Sequence, residues 1–517
     1  MTRQPLKYGA IATGDQHTTE AAAEILQDGG NAFDAVLAGL ACACLSEPVL
    51  ASLGAGGYLL AAPESGRPIL YDFFVQTPLV KRPEGELDFS AIDVDFGPDT
   101  QEFHIGYGSI ATPGVVKAIA QISQNHGRLP LTRIFEPAMT RARQGVGIGP
   151  IQTDVLRYAE PIMRADPAME ALITRGDEKR LLKPGETIAW PAFADVLDAL
   201  AHEGPRLFYE GEIAAAIVEQ TQAGGGHLTM ADLKSYQVEI RKPLELSFHG
   251  WTVAINPPPS AGGVLIGMML ALLEAGGPLP SRPEPVRYER LAQAMWLTNK
   301  ARREVPSNHP DDIARLLDPE LLATYRREIL PAPQSVRGTT HIGVTDADGN
   351  AVALTVSNGE GCGRMGPFGG FMLNNMLGEE DLNPTGFHSW PTDTRLSSMM
   401  APGIAQAPDG RRISFGSGGS NRIRTAIAQV LVNLIDGQMP LEDAIAAPRL
   451  HLEPDMLHIE GGIDQEMIDR PERFADGHRF WPDVSFFFGG VHLAACDADG
   501  RGDVAADERR GGSTWCV

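Results

Sequence analysis

Hydrophobic residues recur along this chain with two different spacings, one typical of helices and one of short buried strands. In residues 18–29 apolar side chains recur every three or four positions and a glycine closes the segment, which predicts an amphipathic helix. Similar spacing predicts helices over 114–126, 193–203, 211–223, 260–276, 286–305 and 423–434. Short apolar runs predict buried strands at 11–13, 58–62, 244–248 and 413–415. This alternation favours a layered fold of helices on sheets.

Two longer stretches lack either spacing. Residues 81–102 are rich in Asp, Pro and Gly, and residues 306–333 are charged and bounded by prolines. We expect both to run over the surface as irregular excursions. The second leads directly to Thr339, so it would suit a tether that swings away if the chain were cut there.

Residues 339–357 have the pattern of a β-hairpin, with a turn at 346–350 that contains Asp, Gly and Asn. Symmetric folding about Asp348 pairs Thr345 with Ala351, Ile342 with Leu354, His341 with Thr355, and Thr339 with Ser357. Residues two apart share a face of a strand. One predicted face is polar and consists of Thr339, His341, Thr355 and Ser357. The other points into a core and consists of Thr340, Ile342, Val344, Val352, Leu354 and Val356.

A threonine on this polar face could serve as a nucleophile. Its hydroxyl needs a base, and the α-amino group of the same residue has a suitable pKa of roughly 7.7 to 8.0. That group exists only if the bond between Gly338 and Thr339 is cut, and the small Gly338 leaves its carbonyl open to attack by the Thr339 hydroxyl. The competing interpretation is an ordinary strand, because threonine favours strands.

A second motif is the Gly-Ser turn at 416–420, which lies between a short apolar strand and a predicted helix. Backbone N–H groups at such a helix start are unpaired and can bind an anion, including the oxyanion of an acyl-transfer reaction. A phosphate loop is the rival interpretation, but the lysine that follows the glycine in such loops is missing. The pair Ser397 and Ser398 would in isolation indicate only a turn or a helix cap.

Composition describes a globular enzyme and excludes some partners. The 517 residues are 43% hydrophobic and 21% charged, with a formal net charge of −23. That charge argues against nucleic acid and anionic membranes as partners. We find no signal peptide, no apolar run long enough to cross a membrane, and five cysteines without metal spacing, and therefore expect a cytoplasmic protein. The thirteen histidines are scattered, so the sequence predicts no metal and no cofactor.

Several motifs in order resemble the γ-glutamyltransferase family, also called glutathione hydrolases. These motifs lie at 9–13, 29–35, 54–59, 112–116, 256–263, 338–341, 373–375, 396–399 and 416–422. The resemblance implies an α/β (α+β) fold, the four-layer αββα sandwich of N-terminal-nucleophile hydrolases. It also implies self-cleavage at Gly338–Thr339 into fragments 1–338 and 339–517, which would form a heterodimer within one intertwined domain.

The resemblance also assigns roles to residues. Thr339 would be the catalytic nucleophile, with Ser357 as supporting hydroxyl where the family has threonine. The oxyanion hole would be Gly419 and Ser420, or Gly418 and Gly419 if the register slips by one. The predicted substrate-binding residues are Thr355, Glu379, Ser397, Ser398 and Gly418, with the two serines holding the substrate α-carboxylate.

Two departures from the family pattern concern the substrate. Phe74 occupies the position of the arginine that clamps the γ-glutamyl α-carboxylate, so glutathione should bind weakly unless Arg395 or Arg364 replaces that cation. The acidic residue that binds the substrate amino group could be Glu379, Glu380 or Asp381, or none of them, because the segment is longer here.

Three functions remain after these observations. The leading one is a γ-glutamyltransferase-like hydrolase that takes a small amide, glutathione-like or otherwise carboxylate-bearing, with water or an amine as acceptor. The second is a related amidase or acylase acting on another amide. The third is an unprocessed paralogue without activity.

Overall fold

The structure is a computed structural model that describes residues 4–95, 100–304, 310–325, 339–383, 386–453, 456–468, 471 and 477–517. Gly338, one side of the predicted cleavage site, lies outside these residues. Among the described residues, no helix combines the length and the apolar character needed to cross a membrane.

Two antiparallel seven-stranded sheets form the centre of the molecule. The first sheet has the order Gln4–Pro5, Arg501–Ala506, Gly490–Cys496, Arg412–Gly418, Gly403–Gln406, Trp251–Ile255, Leu244–Phe248. The second sheet has the order Glu239–Arg241, Ile69–Asp72, Gly56–Ala62, Ala351–Ser357, Thr340–Asp346, Gly9–Thr13, Ser513–Cys516. Each sheet takes strands from both sides of residue 338, so the two halves of the chain share both sheets.

Helices cover the outer face of each sheet. The layer on the second sheet includes Gln16–Gln27, Ala32–Ser46, Val115–His126, Leu131–Gln144, Pro150–Tyr158, Pro191–Glu203 and Glu212–Ala223. The layer on the first sheet includes Ala261–Glu274, Pro285–Glu304, Arg422–Ile435 and Leu441–Ala446. Shorter helices are Glu160–Met163, Pro167–Ile173, Arg206–Tyr209, Met230–Ser235, Pro310–Ala314 and Pro319–Tyr325.

The sheets pack on each other through buried side chains. Ala10 and Ala12 of the second sheet pack against Ala494 and Val504 of the first. Helix, sheet, sheet and helix therefore follow one another as four layers, as the sequence predicted.

The predicted helices and strands are confirmed, with ends that differ by a few residues. The first helix begins at Gln16 rather than 18 because the Asp15 side chain caps it and accepts hydrogen bonds from the backbone N–H groups of His17 and Thr18. The first strand begins two residues early, at Gly9, because it pairs with the hairpin strand as far as Asp346.

The prediction of an irregular excursion over 81–102 is wrong in part. Strands Ser90–Asp95 and Thr100–Ile105 pair there, and Val94 and Phe103 are fully buried. Alternating apolar and polar residues are typical of such a strand pair, but the neighbouring Asp, Pro and Gly residues favoured a loop in the sequence.

The predicted surface excursion over 306–333 is also wrong where the structure describes it. Helices Pro310–Ala314 and Pro319–Tyr325, with the 3₁₀ helix Arg315–Leu317 between them, bury Ile313, Leu316 and Tyr325 in the core on the first sheet. The remainder of that stretch lies outside the described residues.

Candidate active site

The hairpin that follows residue 338 has the predicted register. Strand Thr340–Asp346 pairs with Ala351–Ser357, with His341 opposite Thr355 and Ile342 opposite Leu354. Thr339 directly precedes the first strand and is buried. Continuing the ladder by one residue places it beside Ser357.

The two faces of the hairpin are also as predicted. Ile342, Val344, Val352, Leu354 and Val356 belong to the core under the helices. The polar face of the hairpin packs against the first sheet instead. A Cβ atom added to Gly416 of that sheet would lie 2.2 Å from Nδ1 of His341. Only glycine fits at that position, so the histidine ring packs directly on the backbone of the first sheet.

His341 and Thr355 bind each other beneath the site. Nδ1 of His341 lies 2.8 Å from Oγ1 of Thr355, and both side chains are fully buried. Burial, helped by the nearby His492, holds the pKa of His341 well below its usual 6.5, so the ring is neutral at pH 7. The contact between His341 and Thr355 joins the two strands of the hairpin. Thr355 lines neither of the cavities described next, and its contact with substrate stays a prediction.

A solvent-open cavity, here called the substrate cavity, brings together six of the predicted site residues. It is lined in part by Thr339, Ser357, Glu379, Ser397, Ser398 and Ser420. These residues come from five separate segments of the chain. The predicted hairpin pairing alone places Thr339 beside Ser357, whereas only the family resemblance groups the other four residues with them.

The two serines of the pair differ in what their hydroxyls can do. Oγ of Ser397 donates to the carbonyl of Pro259 at 2.7 Å. Oγ of Ser398 accepts from the backbone N–H of Met400 at 3.1 Å, so its own proton can be donated to a ligand. The backbone carbonyl of Ser398 accepts from Oγ of Ser260 at 3.0 Å, which fixes the segment.

The acidic segment places two of its three carboxylates at the substrate cavity. Glu379 and Asp381 line it, whereas Glu380 is exposed and does not. Oδ2 of Asp381 accepts from Nδ2 of Asn421 at 3.1 Å, which ties this segment to the start of helix Arg422–Ile435.

The backbone of the Gly-Ser turn lies in direct contact with the backbone of Thr339. A Cβ atom added to Gly418 would lie 2.0 Å from the carbonyl oxygen of Thr339. Gly419 and Ser420 have φ of +115° and +50°, and this left-handed geometry turns the backbone between the strand and the helix. Both predicted donor pairs, 418/419 and 419/420, therefore lie in the segment beside Thr339, and their role at an oxyanion stays a prediction.

A second cavity, here called the carboxyl cavity, lies on another side of Thr339. It is lined in part by Glu47, Thr339, Thr340, Gly418, His492 and Arg510. Oγ1 of Thr340 donates to the Glu47 carboxyl group, at 3.1 and 3.2 Å from its two oxygens. Burial, with Asp15 nearby, raises the pKa of Glu47 to about 8. Burial and the neighbouring Arg422 lower the pKa of Arg510 to about 9.

Sequence reasoning missed Glu47 as a neighbour of the nucleophile. The one available signal was an isolated acidic residue directly after the apolar run 36–45. Arg510 belongs to the charged group 507–510 near the C terminus. In that group, Asp507 pairs with Arg449 as well as with Arg509, and Arg509 pairs with Glu460 at 2.7 Å.

Phe74 lines the substrate cavity, in agreement with its expected place beside the substrate. It is buried and stacks on Tyr58 with ring centroids 5.7 Å apart. Neither cation considered as a replacement reaches the cavity. Arg395 donates to the carbonyl of Phe74 and to the Tyr236 hydroxyl, and Arg364 pairs with Asp88 at 3.2 Å. Arg302 lines the cavity instead, and its position on a long helix gave no sequence signal.

Within the part of the chain that the structure describes, no group of three or more His, Cys, Asp or Glu side chains is arranged to hold a metal ion. All five cysteines are free thiols.

Comparison with known proteins agrees with this architecture. A family model described as Gamma-glutamyltranspeptidase matches residues 18–517. The chain belongs to the γ-glutamyltranspeptidase family. It is thus an enzyme of a family whose members hydrolyse their substrates.

Two relatives of this family member carry different names. The Acylase ACY 1 proenzyme of Pseudomonas sp. (strain V22) is 29% identical over 533 residues, which cover 98% of this chain and 93% of that protein. The Glutathione hydrolase proenzyme of Escherichia coli (strain K12) is 29% identical over 496 residues, covering 89% and 84%. The percentage identity to the acylase and to the glutathione hydrolase is therefore the same, whereas the match to the acylase covers more of both chains.

Solved structures show the same fold. Cephalosporin acylase from Bacillus halodurans superimposes with a TM-score of 0.85 at 23% identity, covering 100% of this chain and 97% of that one. The predicted αββα fold of N-terminal-nucleophile hydrolases is confirmed.

Proposed function

We propose that this protein is a self-processing amide hydrolase or acyltransferase of the γ-glutamyltransferase type, with Thr339 as its nucleophile. The observation that carries the proposal is the placement of Thr339 itself. It directly precedes a buried strand, borders the substrate cavity, and touches the backbone of a Gly-Ser turn at Gly418.

Maturation would expose the base that the nucleophile needs. Oγ of Thr339 attacks the Gly338 carbonyl carbon, and the peptide bond to the Thr339 nitrogen breaks as that nitrogen takes up a proton. The product is an ester between Gly338 and Oγ of Thr339. Water then hydrolyses the ester, which leaves a carboxylate on Gly338 and an amino group on Thr339.

Turnover would repeat the same chemistry on a substrate amide. The Thr339 amino group, acting through or beside Ser357, takes the hydroxyl proton as Oγ attacks the amide carbon. Backbone N–H groups of the turn at 418–420 stabilise the oxyanion. The leaving amine receives the proton, and water or another amine then takes the acyl group from Oγ.

A second candidate is an acylase that acts on a different acyl amide. Phe74 is the observation that favours it, because a phenyl ring cannot form the bidentate pair that an arginine forms with an α-carboxylate. The equal percentage identity to an acylase and to a glutathione hydrolase is consistent with either substrate.

Gel electrophoresis of the purified protein tests the proposal. Cutting the 517-residue, 55.5 kDa chain after residue 338 leaves 179 residues, so bands near roughly 36 and 19 kDa are expected. Sequencing of the smaller fragment should begin Thr-Thr-His. Thr339→Ala should give one folded full-length band and no turnover. A wild-type protein that is folded but stays in one piece would instead support the unprocessed paralogue.

A panel of amide substrates separates the two candidates. Processed protein is incubated with γ-glutamyl amides and with simple N-acyl amides under the same conditions. A higher kcat/KM for γ-glutamyl amides supports the first candidate, and the reverse order supports the second.

A further inference from the structure

The substrate cavity contains an arginine at a place that the sequence did not indicate. Helix Pro285–Glu304 carries Arg302 in its last turn. Among the described residues that line the cavity, Arg302 is the only one with a cationic side chain. The same cavity holds Thr339 and Ser398, so this cation, the nucleophile and a hydroxyl able to donate a proton border one space.

Packing of the helix fixes where Arg302 lies. Thr298 and Ala301 are fully buried on the same helix. Nδ2 of Asn299 donates to the carbonyl of Leu452 at 2.8 Å, which ties the helix to a strand outside the two main sheets. A side chain presented from such a helix is better positioned for binding than one on a loop.

We infer that Arg302 binds the carboxylate of the substrate's acyl group and takes over the role of the arginine that is missing at position 74. The inference rests on the proposed function, because it names the class of acyl group that the same site receives. A planar guanidinium donates two parallel hydrogen bonds to a carboxylate, and the Ser398 hydroxyl can add a third.

Other cations near the cavity are not suited to this role. Arg395 is held by the Phe74 carbonyl and Tyr236, and Arg364 is held by Asp88. Arg424 is buried and does not line the cavity.

A competing role for Arg302 is to balance the carboxylates of its own cavity. Burial and Arg424 lower the pKa of Arg302, whereas Asp381 raises it, so Asp381 is close enough to interact. The guanidinium stays charged at neutral pH in either case. Asp381 also accepts from Asn421 and interacts with Arg424, so its charge is shared among several groups. A purely structural Arg302 would affect all substrates alike, and this difference can be measured.

Three p-nitroanilides of matched length distinguish the two roles: the γ-glutamyl, glutaryl and pentanoyl compounds. The glutaryl compound lacks only the amino group of the γ-glutamyl compound. The pentanoyl compound has a methyl group in place of the glutaryl carboxylate. Each is assayed with processed wild type, Arg302→Gln, Arg302→Lys and the control Arg303→Gln. Arg303 is the next residue of the helix, and its side chain does not line the cavity. We expect Arg302→Gln to lower kcat/KM at least roughly thirtyfold for the two carboxylate-bearing substrates, mainly through KM, and to change pentanoyl turnover less than about threefold.

The Lys variant should fall between wild type and Gln, because it keeps the charge and loses the bidentate geometry. Arg303→Gln should match wild type. Equal losses on all three substrates, or no loss on any, would overturn the inference.

Binding of glutarate, measured by calorimetry, keeps the inference testable if the proposed function fails. A protein that is not processed and turns over no amide refutes the proposed function. Glutarate should still bind to the wild type and to Arg303→Gln, and should bind at least roughly thirtyfold more weakly to Arg302→Gln. Failure of the wild type to bind glutarate, or equal binding by all variants, overturns the role of Arg302 whatever the activity.

Discussion

Replacing Gly418 by alanine tests whether the Gly-Ser turn sets the position of the nucleophile. The new Cβ atom would lie 2.0 Å from the carbonyl oxygen of Thr339 and 3.0 Å from its carbonyl carbon. Non-bonded heavy atoms prefer separations of about 3.5 to 4.0 Å. Either Thr339 or the turn must therefore move by more than about 1 Å. Gly418 does not have a positive φ, so backbone conformation itself does not oppose alanine.

We expect Gly418→Ala to slow catalysis strongly while the protein still folds. Forcing an extra methyl group into a packed site costs about 1 to 3 kcal/mol, a part of the 5 to 15 kcal/mol that stabilises a typical domain. A displacement of about 1 Å at a reacting group can slow a reaction roughly a hundredfold. Gly418→Ala should therefore fold, mature slowly, and turn over substrate at least about a hundred times more slowly than wild type.

Maturation is followed as the decay of the full-length band on gels, and folding by circular dichroism and thermal unfolding. The matched control is Gly147→Ala. This glycine also ends a strand, and its added Cβ would meet its nearest neighbour, the Gly185 carbonyl oxygen, at an ordinary 3.8 Å. The control should mature and unfold like wild type. Wild-type maturation in Gly418→Ala would refute the argument that the turn positions Thr339.

Three further predictions concern residues around Thr339. Ser357→Ala should fold but slow maturation and turnover by about 5- to 150-fold, because a lost hydrogen bond to the nucleophile removes about 1 to 3 kcal/mol of transition-state stabilisation. Ser357→Thr should keep the wild-type rate. Wild-type kinetics in the alanine variant would show that Ser357 is not beside the nucleophile. In Arg302→Gln, glutathione should bind roughly a hundredfold or more weakly than in an enzyme with the arginine clamp, because neither Phe74 nor the new glutamine can form a charge pair with its α-carboxylate. A Michaelis constant of this variant in the low micromolar range would contradict this. Burial raises the pKa of Glu47 from 4.5 to about 8, so its favourable contribution to stability is fully present below pH 4.5 and is lost as pH rises through about 8. Relative to Glu47→Gln, the wild type should lose at most roughly 5 kcal/mol of unfolding free energy over that range, and parallel pH profiles of thermal unfolding would contradict the prediction.

Local patterns were sufficient to predict the hairpin that carries the nucleophile. Its two strands alternate faces, and its turn residues define the centre of symmetry, so the pairing of His341 with Thr355 followed from spacing alone. The hairpin at 90–105 has the same kind of alternation, but its neighbours rich in Asp, Pro and Gly favoured a loop. Information within a single hairpin is local, and it fails where breakers surround the strands.

The wall of the substrate cavity required the tertiary structure, because its residues are far apart in the chain. Phe74 was placed there only because a family position could be matched, and Arg302 had no motif to match. Helix packing places residue 302 at a cavity that residues 74, 339 and 397 also line. The spacing of residues within one segment carries no information about such a contact. An arginine presented from the helix, in place of one at position 74, would change the direction from which a carboxylate is held. The acyl group would then lie differently relative to Thr339, so the preference for a substrate can change while the nucleophile and its turn stay in place.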